Sequence, residues 1–275
     1  MPDDESSSAQ LERIVELAIE FDGSWLTVSS DASEILESLR NRYRYMLSDR
    51  RAAAIGHLGV YREGTRYRVV EENSALITGG QPAGVVNFVV EKIFVQFMQA
   101  RKEFLWLHAA AVERDGRALV IAGESGQGKS TVSTFLCELG WHFMSDDVLA
   151  LRIENDEVIP FLLTPARRAQ AGLKILTDLA SLAKETVNLH EASLQRTPTK
   201  ISSVVFPRFD PTARPSIARM SRGDAALELL RHTRNIVDHG PDAPSRIARL
   251  MRKIDSFSLT FGFDGEGIDL IDSEL

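Results

Sequence analysis

The segment 123–130 has the residue types and spacing of a phosphate-binding loop. It matches the pattern G-x-x-x-x-G-K-[ST] at every fixed position. Glycine lets the backbone approach an anion closely, and the N–H groups of such a loop converge on the anion. In this pattern Lys129 supplies a cation to the outer phosphates, and Ser130 supplies a hydroxyl to Mg²⁺. A chance match is expected in about one chain of this length in a hundred, so the pattern predicts binding of a nucleoside triphosphate.

The elements on both sides of the loop fit this prediction. An apolar run, 117–121, precedes the loop and predicts a strand, and apolar residues at the spacing of one helix face follow it. The N-terminus of a helix attracts anions. The residues expected to contact the nucleotide are Gly123, Glu124, Ser125, Gly126, Gln127, Gly128, Lys129, Ser130 and Thr131.

Asp146 and Asp147 are the candidate acids. A phosphotransferase needs a carboxylate that holds Mg²⁺ and, for a hydroxyl acceptor, a base that orients the hydroxyl. The two acids fall within the run 141–151, which predicts a strand, and adjacent side chains on a strand point to opposite faces. Both serve one site only if the strand ends there and the backbone turns. The sequence leaves open which of them is the base, and whether one is simply solvated.

His108 is a further candidate. It lies in the strand-like run 104–112, and a single histidine among apolar residues is more often part of a core. Asp115-Gly116 is a strong hairpin signal between this run and 117–121. Because the hairpin pairs the run with the strand that leads into the loop, His108 is expected near the phosphate site.

The rest of the chain predicts a small α+β region followed by further helices and strands. Residues 1–10 are acidic and serine-rich and are expected to be disordered. Upstream of residue 100, strands are predicted at 11–21 and 25–29, the first of which could equally begin as a short helix. A hairpin is predicted from 56–61 and 67–70, and a helix at 83–99. Downstream, helices are predicted around 166–184, 224–231 and 243–254, and strands at 201–206, ending at Pro207, and at 257–263.

Composition excludes several classes of protein. A net charge of −7 argues against general nucleic-acid binding. Residues 214–253 nevertheless carry nine basic and four acidic side chains, either as solvated helix faces or as a surface that meets an acidic partner or the nucleotide phosphates. The start lacks the pattern of a signal peptide, and the most apolar stretch, 85–98, is too short and too charged to span a membrane. A cytoplasmic protein is predicted. A single cysteine, Cys137, rules out a disulfide within the chain.

Leu107-His108, the loop 123–130 and Ser145-Asp146-Asp147 together resemble the HPr serine kinase/phosphorylase family, and most closely the HPr-kinase-related proteins of peptide-modification clusters, including lasso-peptide clusters. The resemblance covers roughly residues 104–275. It implies a P-loop kinase fold of the α/β class, akin to phosphoenolpyruvate carboxykinase. The domains would be the N-terminal residues 1–10, a small α+β domain at 11–100 and the HPr-kinase-like domain at 101–275.

The resemblance also implies an activity and its site. ATP with Mg²⁺ would phosphorylate a hydroxyl, typically a serine, of a peptide, a protein or a small molecule, and the protein would be a homo-oligomer. Catalysis would involve Asp146 as the base, His108 near the transferred phosphate, and Lys129. The metal would be held by Ser130, with Asp147 supporting the metal or the site.

Two departures from the family pattern bear on these expectations. Thr131 stands where the family usually has an acid after the loop, and no Glu-x-Arg-Gly-like segment occurs between residues 151 and 200. These departures favour a kinase without the reverse phosphorylase reaction. Two alternatives stay open, a nucleotide-dependent ATPase or switch and a degenerate nucleotide-binding module in a peptide-biosynthesis complex. The guanine-specific Asn-Lys-x-Asp motif is absent.

Overall fold

The computed structural model describes residues 14–49, 53–72, 74–168 and 184–275, so the expected disorder of residues 1–10 lies outside the described residues. The described part is a mixed α/β protein with six α-helices. The chain divides into two compact units. The first comprises Met1–Asn41 and Leu47–Gln96, and the second comprises Arg42–Met46 and Phe97–Leu275.

The first unit contains a five-stranded sheet in the order β1-β2-β3-β4-β5. Its elements are β1 (Val15–Phe21), β2 (Ser24–Ser30), α1 (Ser33–Tyr43), β3 (Ala54–Glu63), β4 (Arg66–Glu71), β5 (Ser74–Gly79) and α2 (Pro82–Ala100). The pair β2 and β3 is parallel and the other pairs are antiparallel. Parallel neighbours need a crossover connection, and α1 lies in this connection. The last residues of α1 and α2 belong to the second unit.

The second unit is built on a nine-stranded sheet of described residues, with seven strands in the order β6-β10-β11-β14-β8-β7-β9. The strand β16 pairs with β14, and β15 pairs with β16. The elements are β6 (Leu105–Leu107), β7 (Ala109–Arg114), β8 (Arg117–Ala122), α3 (Lys129–Glu138), β9 (His142–Ser145), β10 (Leu149–Arg152), β11 (Glu157–Ile159), β12 (Ala166–Arg168), β13 (Lys184–Thr186), β14 (Thr199–Phe209), β15 (Ser216–Arg219), α4 (Arg222–Arg231), α5 (Ala243–Met251), β16 (Asp255–Phe261) and α6 (Leu270–Glu274).

Side chains that alternate along β8 pack into two hydrophobic clusters, one on each face of this sheet. Val120 belongs to a cluster that includes Leu229 of α4 and Leu250 of α5. Leu119 and Ile121 belong to a second cluster, together with residues of α3. Successive side chains of a strand point to opposite faces, so α3 covers one face and α4 and α5 cover the other. The strand β8, which leads into the loop 123–128, is thus buried on both sides.

Four predicted elements differ from the structure. The run 104–112 is not one strand, because it is interrupted at His108, and the run 141–151 is interrupted at residues 146–148. The predicted helix around 166–184 is wrong at Ala166–Arg168, which form β12, and residues 169–183 lie outside the described residues. The strand predicted to end at Pro207 continues to Phe209.

Pro207 is tolerated inside β14 because of where the neighbouring strand ends. The last pair between β14 and β8 is Val205 with Ile121. Proline lacks a backbone N–H and costs a ladder hydrogen bond where a neighbour needs one. Beyond Val205 this side of β14 has no pairing with β8, so the strand passes through the proline. Within the described part of the chain, none of the helices is long and apolar enough to cross a membrane.

Candidate active site

The loop 123–128 connects the end of β8 to the first residue of α3. Gly126 and Gly128 have φ angles of 92° and 97°, in the left-handed region that favours glycine. A Cβ atom on Gly128 would lie 2.3 Å from Cζ of Phe261. Gly128 precedes the helix and caps it without a side-chain hydrogen bond. The first N–H groups of a helix have no partner within the helix, so this end of α3 can donate to an anion.

Lys129 folds back onto this loop. Its side chain is buried, and Nζ donates to the carbonyl oxygens of Gly123 at 2.8 Å and Glu124 at 3.0 Å. Nζ also lies 3.0 Å from Nε2 of His108. A buried ammonium requires hydrogen-bond acceptors around it, and these three atoms provide them. The position of the Lys129 side chain is therefore fixed against the first two residues of the loop.

His108 connects the loop to the double-aspartate turn, defined here as residues 146–148. Its Nδ1 lies 3.0 Å from the carbonyl oxygen of Asp147. A carbonyl oxygen only accepts, so Nδ1 carries the proton and Nε2 is left as an acceptor for Lys129. Burial, and after it the charge of Lys129, hold the pKa of His108 below its ordinary value. A neutral imidazole is the form that this arrangement requires.

Asp146 is fully buried beside Ser130. The hydroxyl of Ser130 donates to Oδ1 at 2.8 Å and lies 3.0 Å from Oδ2, and the backbone N–H of Ala166 lies 3.4 Å from Oδ2. Burial, and after it the charge of Asp147, raise the pKa of Asp146 to about 6, whereas Arg42 and Ser130 act in the opposite direction. A carboxyl group that titrates near neutral pH is suited to accept a proton.

Asp147 lies in a turn and not within a strand. The strand β9 ends at Ser145, and Asp147 has a φ angle of 63°. This turn fulfils the condition under which both acids serve one site, because they no longer alternate across a strand. Oδ2 of Asp147 lies 3.6 Å from Nη2 of Arg42, and both side chains are partly exposed.

Arg42 reaches this turn from the segment Arg42–Met46 of the second unit. Its Nη1 donates to the carbonyl oxygen of Thr164, and its own carbonyl oxygen accepts from the N–H of Thr164 at 2.9 Å. Arg42 is thus bound to Thr164, two residues before the start of β12 at Ala166. The N–H of Ala166 in turn reaches Asp146. No local pattern in the sequence points to Arg42, because it lies 104 positions before Asp146 in the chain.

The segment after α4 also reaches the site. The N–H of His108 donates to the carbonyl oxygen of His232 at 2.7 Å, and the charge of Arg234 contributes to lowering the pKa of His108. His232 is not indicated by the sequence, whereas Arg234 belongs to the basic span 214–253, for which contact with the nucleotide phosphates is one of the interpretations. Other residues of this span form ion pairs with acids, namely Arg219 with Asp255, Arg231 with Glu228, Arg246 with Glu154 and Lys253 with Asp156.

The structure thus brings together five of the predicted site residues. His108 contacts Lys129 and the backbone oxygen of Asp147, and Ser130 contacts Asp146. The two sets of contacts form one network through the peptide bonds that link residues 129 to 130 and 146 to 147. The tip of the loop, Glu124 to Gly126, is exposed. Gln127 lies inside the loop and accepts from the N–H of Glu124 at 3.2 Å. Thr131 is half-buried on α3, and among the described residues its side chain takes no part in this network.

The residues present fit a nucleotide with Mg²⁺. In the described part of the chain, no cluster of three or more His, Cys, Asp or Glu side chains could hold a metal alone. Magnesium in phosphotransferases is bound by one or two carboxylates together with substrate phosphates. The hydroxyl of Ser130, which is hydrogen-bonded to Asp146, and the carboxylate of the adjacent Asp147 are oxygen donors of this kind.

These features define a mixed α/β protein with a glycine-rich loop between a buried strand and a helix. No family model and no curated protein matches the chain. The Hpr(Ser) kinase/phosphatase from Coxiella burnetii is a structural neighbour at 15% sequence identity and a TM-score of 0.33, over 62% of this chain and 87% of that one. This relationship is a weak structural one, and it decides neither the fold family nor the activity.

Proposed function

We propose that this protein is an ATP- and Mg²⁺-dependent kinase that transfers the γ-phosphate to a hydroxyl group of a peptide, a protein or a small molecule. The supporting observation is the contact between Ser130 in the glycine loop and the buried carboxylate of Asp146. Binding of a triphosphate without phosphate transfer requires only the loop. A carboxyl group with a pKa near 6 beside that loop supplies the base that phosphate transfer to a hydroxyl needs.

Each residue of the network has a defined task in this proposal. Lys129 and the N-terminus of α3 bind the phosphates, and His108 fixes the position of Lys129 through its Nε2 atom. Ser130 and Asp147 hold the metal ion, and Asp146 accepts the proton of the acceptor hydroxyl. When bound, the metal neutralises charge on the phosphates. Arg42 keeps Asp147 in place and balances the negative charge of the double-aspartate turn.

Phosphate transfer by these groups forms one bond, breaks one bond and moves one proton. The acceptor oxygen forms a bond to the γ-phosphorus while the bond from this phosphorus to the bridging oxygen breaks. ADP leaves with the electron pair of that bond, and the acceptor proton passes to a carboxylate oxygen of Asp146. A serine hydroxyl is the expected acceptor, because the motifs of the chain resemble those of a serine kinase family.

The test is transfer of labelled γ-phosphate by the full chain to serine-containing peptides and to small polyols, in the presence of Mg²⁺. We expect a labelled acceptor with wild type and a loss of about 10²- to 10⁴-fold with Asp146→Asn, the usual contribution of a general base. Asp156→Asn is the control, because Asp156 is an ion-paired aspartate outside the network. Hydrolysis of ATP without any labelled acceptor would indicate an ATPase or switch instead, and absence of nucleotide binding would indicate a degenerate module.

The roles of the two acids separate in the metal dependence of the reaction. Asp156 is also a matched control for Asp147, since its φ angle is 56° against 63° for Asp147. If Asp147 holds the metal, Asp147→Asn raises the Mg²⁺ concentration that gives half-maximal activity, and Asp146→Asn lowers kcat without that change. The reverse pattern would exchange the two roles and leave the kinase assignment intact.

A further inference from the structure

Three phenylalanines lie at the edge of the sheet from which the glycine loop emerges. Phe209 ends β14, Phe261 ends β16, and Phe263 begins a 3₁₀ helix, Phe263–Gly265. The strands β8, β14 and β16 are parallel neighbours, so their carboxyl ends share one edge. Ligands of open α/β sheets bind outside the carboxyl ends of parallel strands.

The three aromatic rings form a row that starts in contact with the loop at Phe261 and continues away from it. The ring of Phe261 fills the space beside Gly128, where a Cβ atom would lie 2.3 Å from Cζ. The ring centroid of Phe209 is 5.5 Å from that of Phe261 and 5.4 Å from that of Phe263. The ribose separates the base of a nucleotide from its phosphates, so a surface for the base must start near the phosphate loop and continue beyond it.

Burial is greater beside the loop than beyond it. Phe261 is buried, whereas Phe209 and Phe263 are half-buried residues. The 3₁₀ helix is packed on α3, because a Cβ atom on Gly265 would lie 2.6 Å from the ring of Phe135. Phe263 therefore begins an element that packs on the same helix whose N-terminus lies at the glycine loop, and a preformed surface costs less ordering entropy on binding.

We propose that Phe209 and Phe263 form an aromatic platform for the purine base of the nucleotide, with one ring stacked on the base and the other, inclined at 71° to it, against the edge of the base. This inference rests on the nucleotide binding in the proposed function and is independent of phosphate transfer. Every base has a π-face, so stacking on aromatic rings tolerates different bases. A purine presents the larger face, so the platform favours ATP and GTP over CTP and UTP and separates ATP from GTP only weakly.

The experiment compares a nucleotide with its phosphates alone. Full-length protein is titrated calorimetrically with ATP and with inorganic tripolyphosphate, both with Mg²⁺. Phe263→Ala is expected to weaken ATP binding by about 5- to 150-fold, the range for loss of one stacking contact, and to leave tripolyphosphate binding unchanged. Phe209→Leu keeps an apolar side chain without the ring and should show the same selective loss, and Phe263→Trp should retain ATP binding.

Phe88→Ala is the matched control, since Phe88 is a half-buried phenylalanine on α2 in the first unit. It should leave both affinities unchanged. Equal weakening of ATP and tripolyphosphate by Phe263→Ala would show that the ring only supports the loop, and equal affinity of wild type for both ligands would show that no base is bound. Either result overturns the platform alone. Failure of wild type to bind either ligand overturns the nucleotide assignment itself and the platform with it.

Discussion

His108 accepts a hydrogen bond from Lys129, with Nε2 of the ring 3.0 Å from Nζ of the lysine. The imidazole has this lone pair available because its other nitrogen donates to the carbonyl oxygen of Asp147. One neutral ring thus connects the cation of the glycine loop to the backbone of the double-aspartate turn. The orientation of the lysine depends on a tautomer, and that tautomer can be measured.

We expect His108 to be the Nδ1–H tautomer at pH 7 and to stay neutral below its ordinary pKa, because burial and Lys129 both disfavour the imidazolium. Long-range ¹H–¹⁵N correlation spectra distinguish the two tautomers, and His108→Gln identifies the resonances. An Nε2–H tautomer, or protonation at pH 6.5 or above, would contradict the arrangement described.

Arg42→Met should lower kcat by about 10- to 100-fold, the usual loss when a residue that orients a metal ligand is removed. Arg42→Lys should recover part of the activity, because an ammonium keeps the charge but not the paired geometry of the guanidinium. Arg40→Met is the control, since Arg40 is exposed on the same helix. Steady-state kinetics with labelled ATP give the comparison. Equal effects of Arg40→Met and Arg42→Met would assign the loss to the helix and not to the contact with Asp147.

Asp146→Asn should change the pH dependence of stability in a defined direction. The pKa of Asp146 is raised from its usual 3.8 to about 6 in the folded protein, so the folded state binds more protons between these values than the unfolded state does. This carboxyl therefore makes folding less favourable as pH rises through that window. The variant lacks this titration, and its stability relative to wild type should increase by about 3 kcal/mol from pH 3.5 to pH 7.

Urea unfolding without Mg²⁺, at a series of pH values, measures this difference. Asp156→Asn again serves for comparison, because its side chain is ion-paired near the surface. A difference between Asp146→Asn and wild type that stays constant with pH would mean that Asp146 titrates normally in the folded protein.

Gly128→Ala should destabilise the protein more than Gly140→Ala. Both glycines have positive φ angles, 97° and 94°, so each substitution carries the backbone strain of the left-handed region, about 1–2 kcal/mol. A Cβ atom on Gly140 has no atom within 4 Å, whereas one on Gly128 meets the ring of Phe261. Overpacking adds about 1–3 kcal/mol.

Thermal unfolding of the two variants, and of Gly128→Ala combined with Phe261→Leu, tests the cause of this difference. The smaller side chain should recover most of the extra loss at Gly128. If the double variant is no more stable than Gly128→Ala, the ring of Phe261 does not limit the space beside this glycine.

Local patterns in the sequence predicted the elements that surround the loop. The hairpin of β7 and β8 turns at Asp115 and Gly116, which have φ angles of 54° and 73°, as the Asp-Gly dipeptide indicates. The apolar spacing after the loop predicted α3. These predictions succeeded because turn chemistry and helix periodicity are decided by residues close together in the chain.

The parts of the site that were not predicted depend on contacts across the fold. Nothing in the residues around Arg42 indicates that its guanidinium lies near Asp147. The strands are interrupted at His108 and at Asp146, although both lie in continuous apolar runs. Hydrophobicity predicts burial but not the residue at which a strand ends. The hydrogen bond from His108 to the backbone oxygen of His232 is likewise visible only when distant segments are paired.

The segment Arg42–Met46 makes the second unit discontinuous in sequence. The backbone of this segment is hydrogen-bonded to Thr164 and contacts Arg196 through the carbonyl oxygen of Tyr45. A recombination event or a shortened gene that starts near residue 97 would keep the glycine loop and both aspartates but would lose Arg42. The second unit therefore cannot be transferred to another protein as one continuous segment. Transfer of its complete site requires two separate segments of the chain.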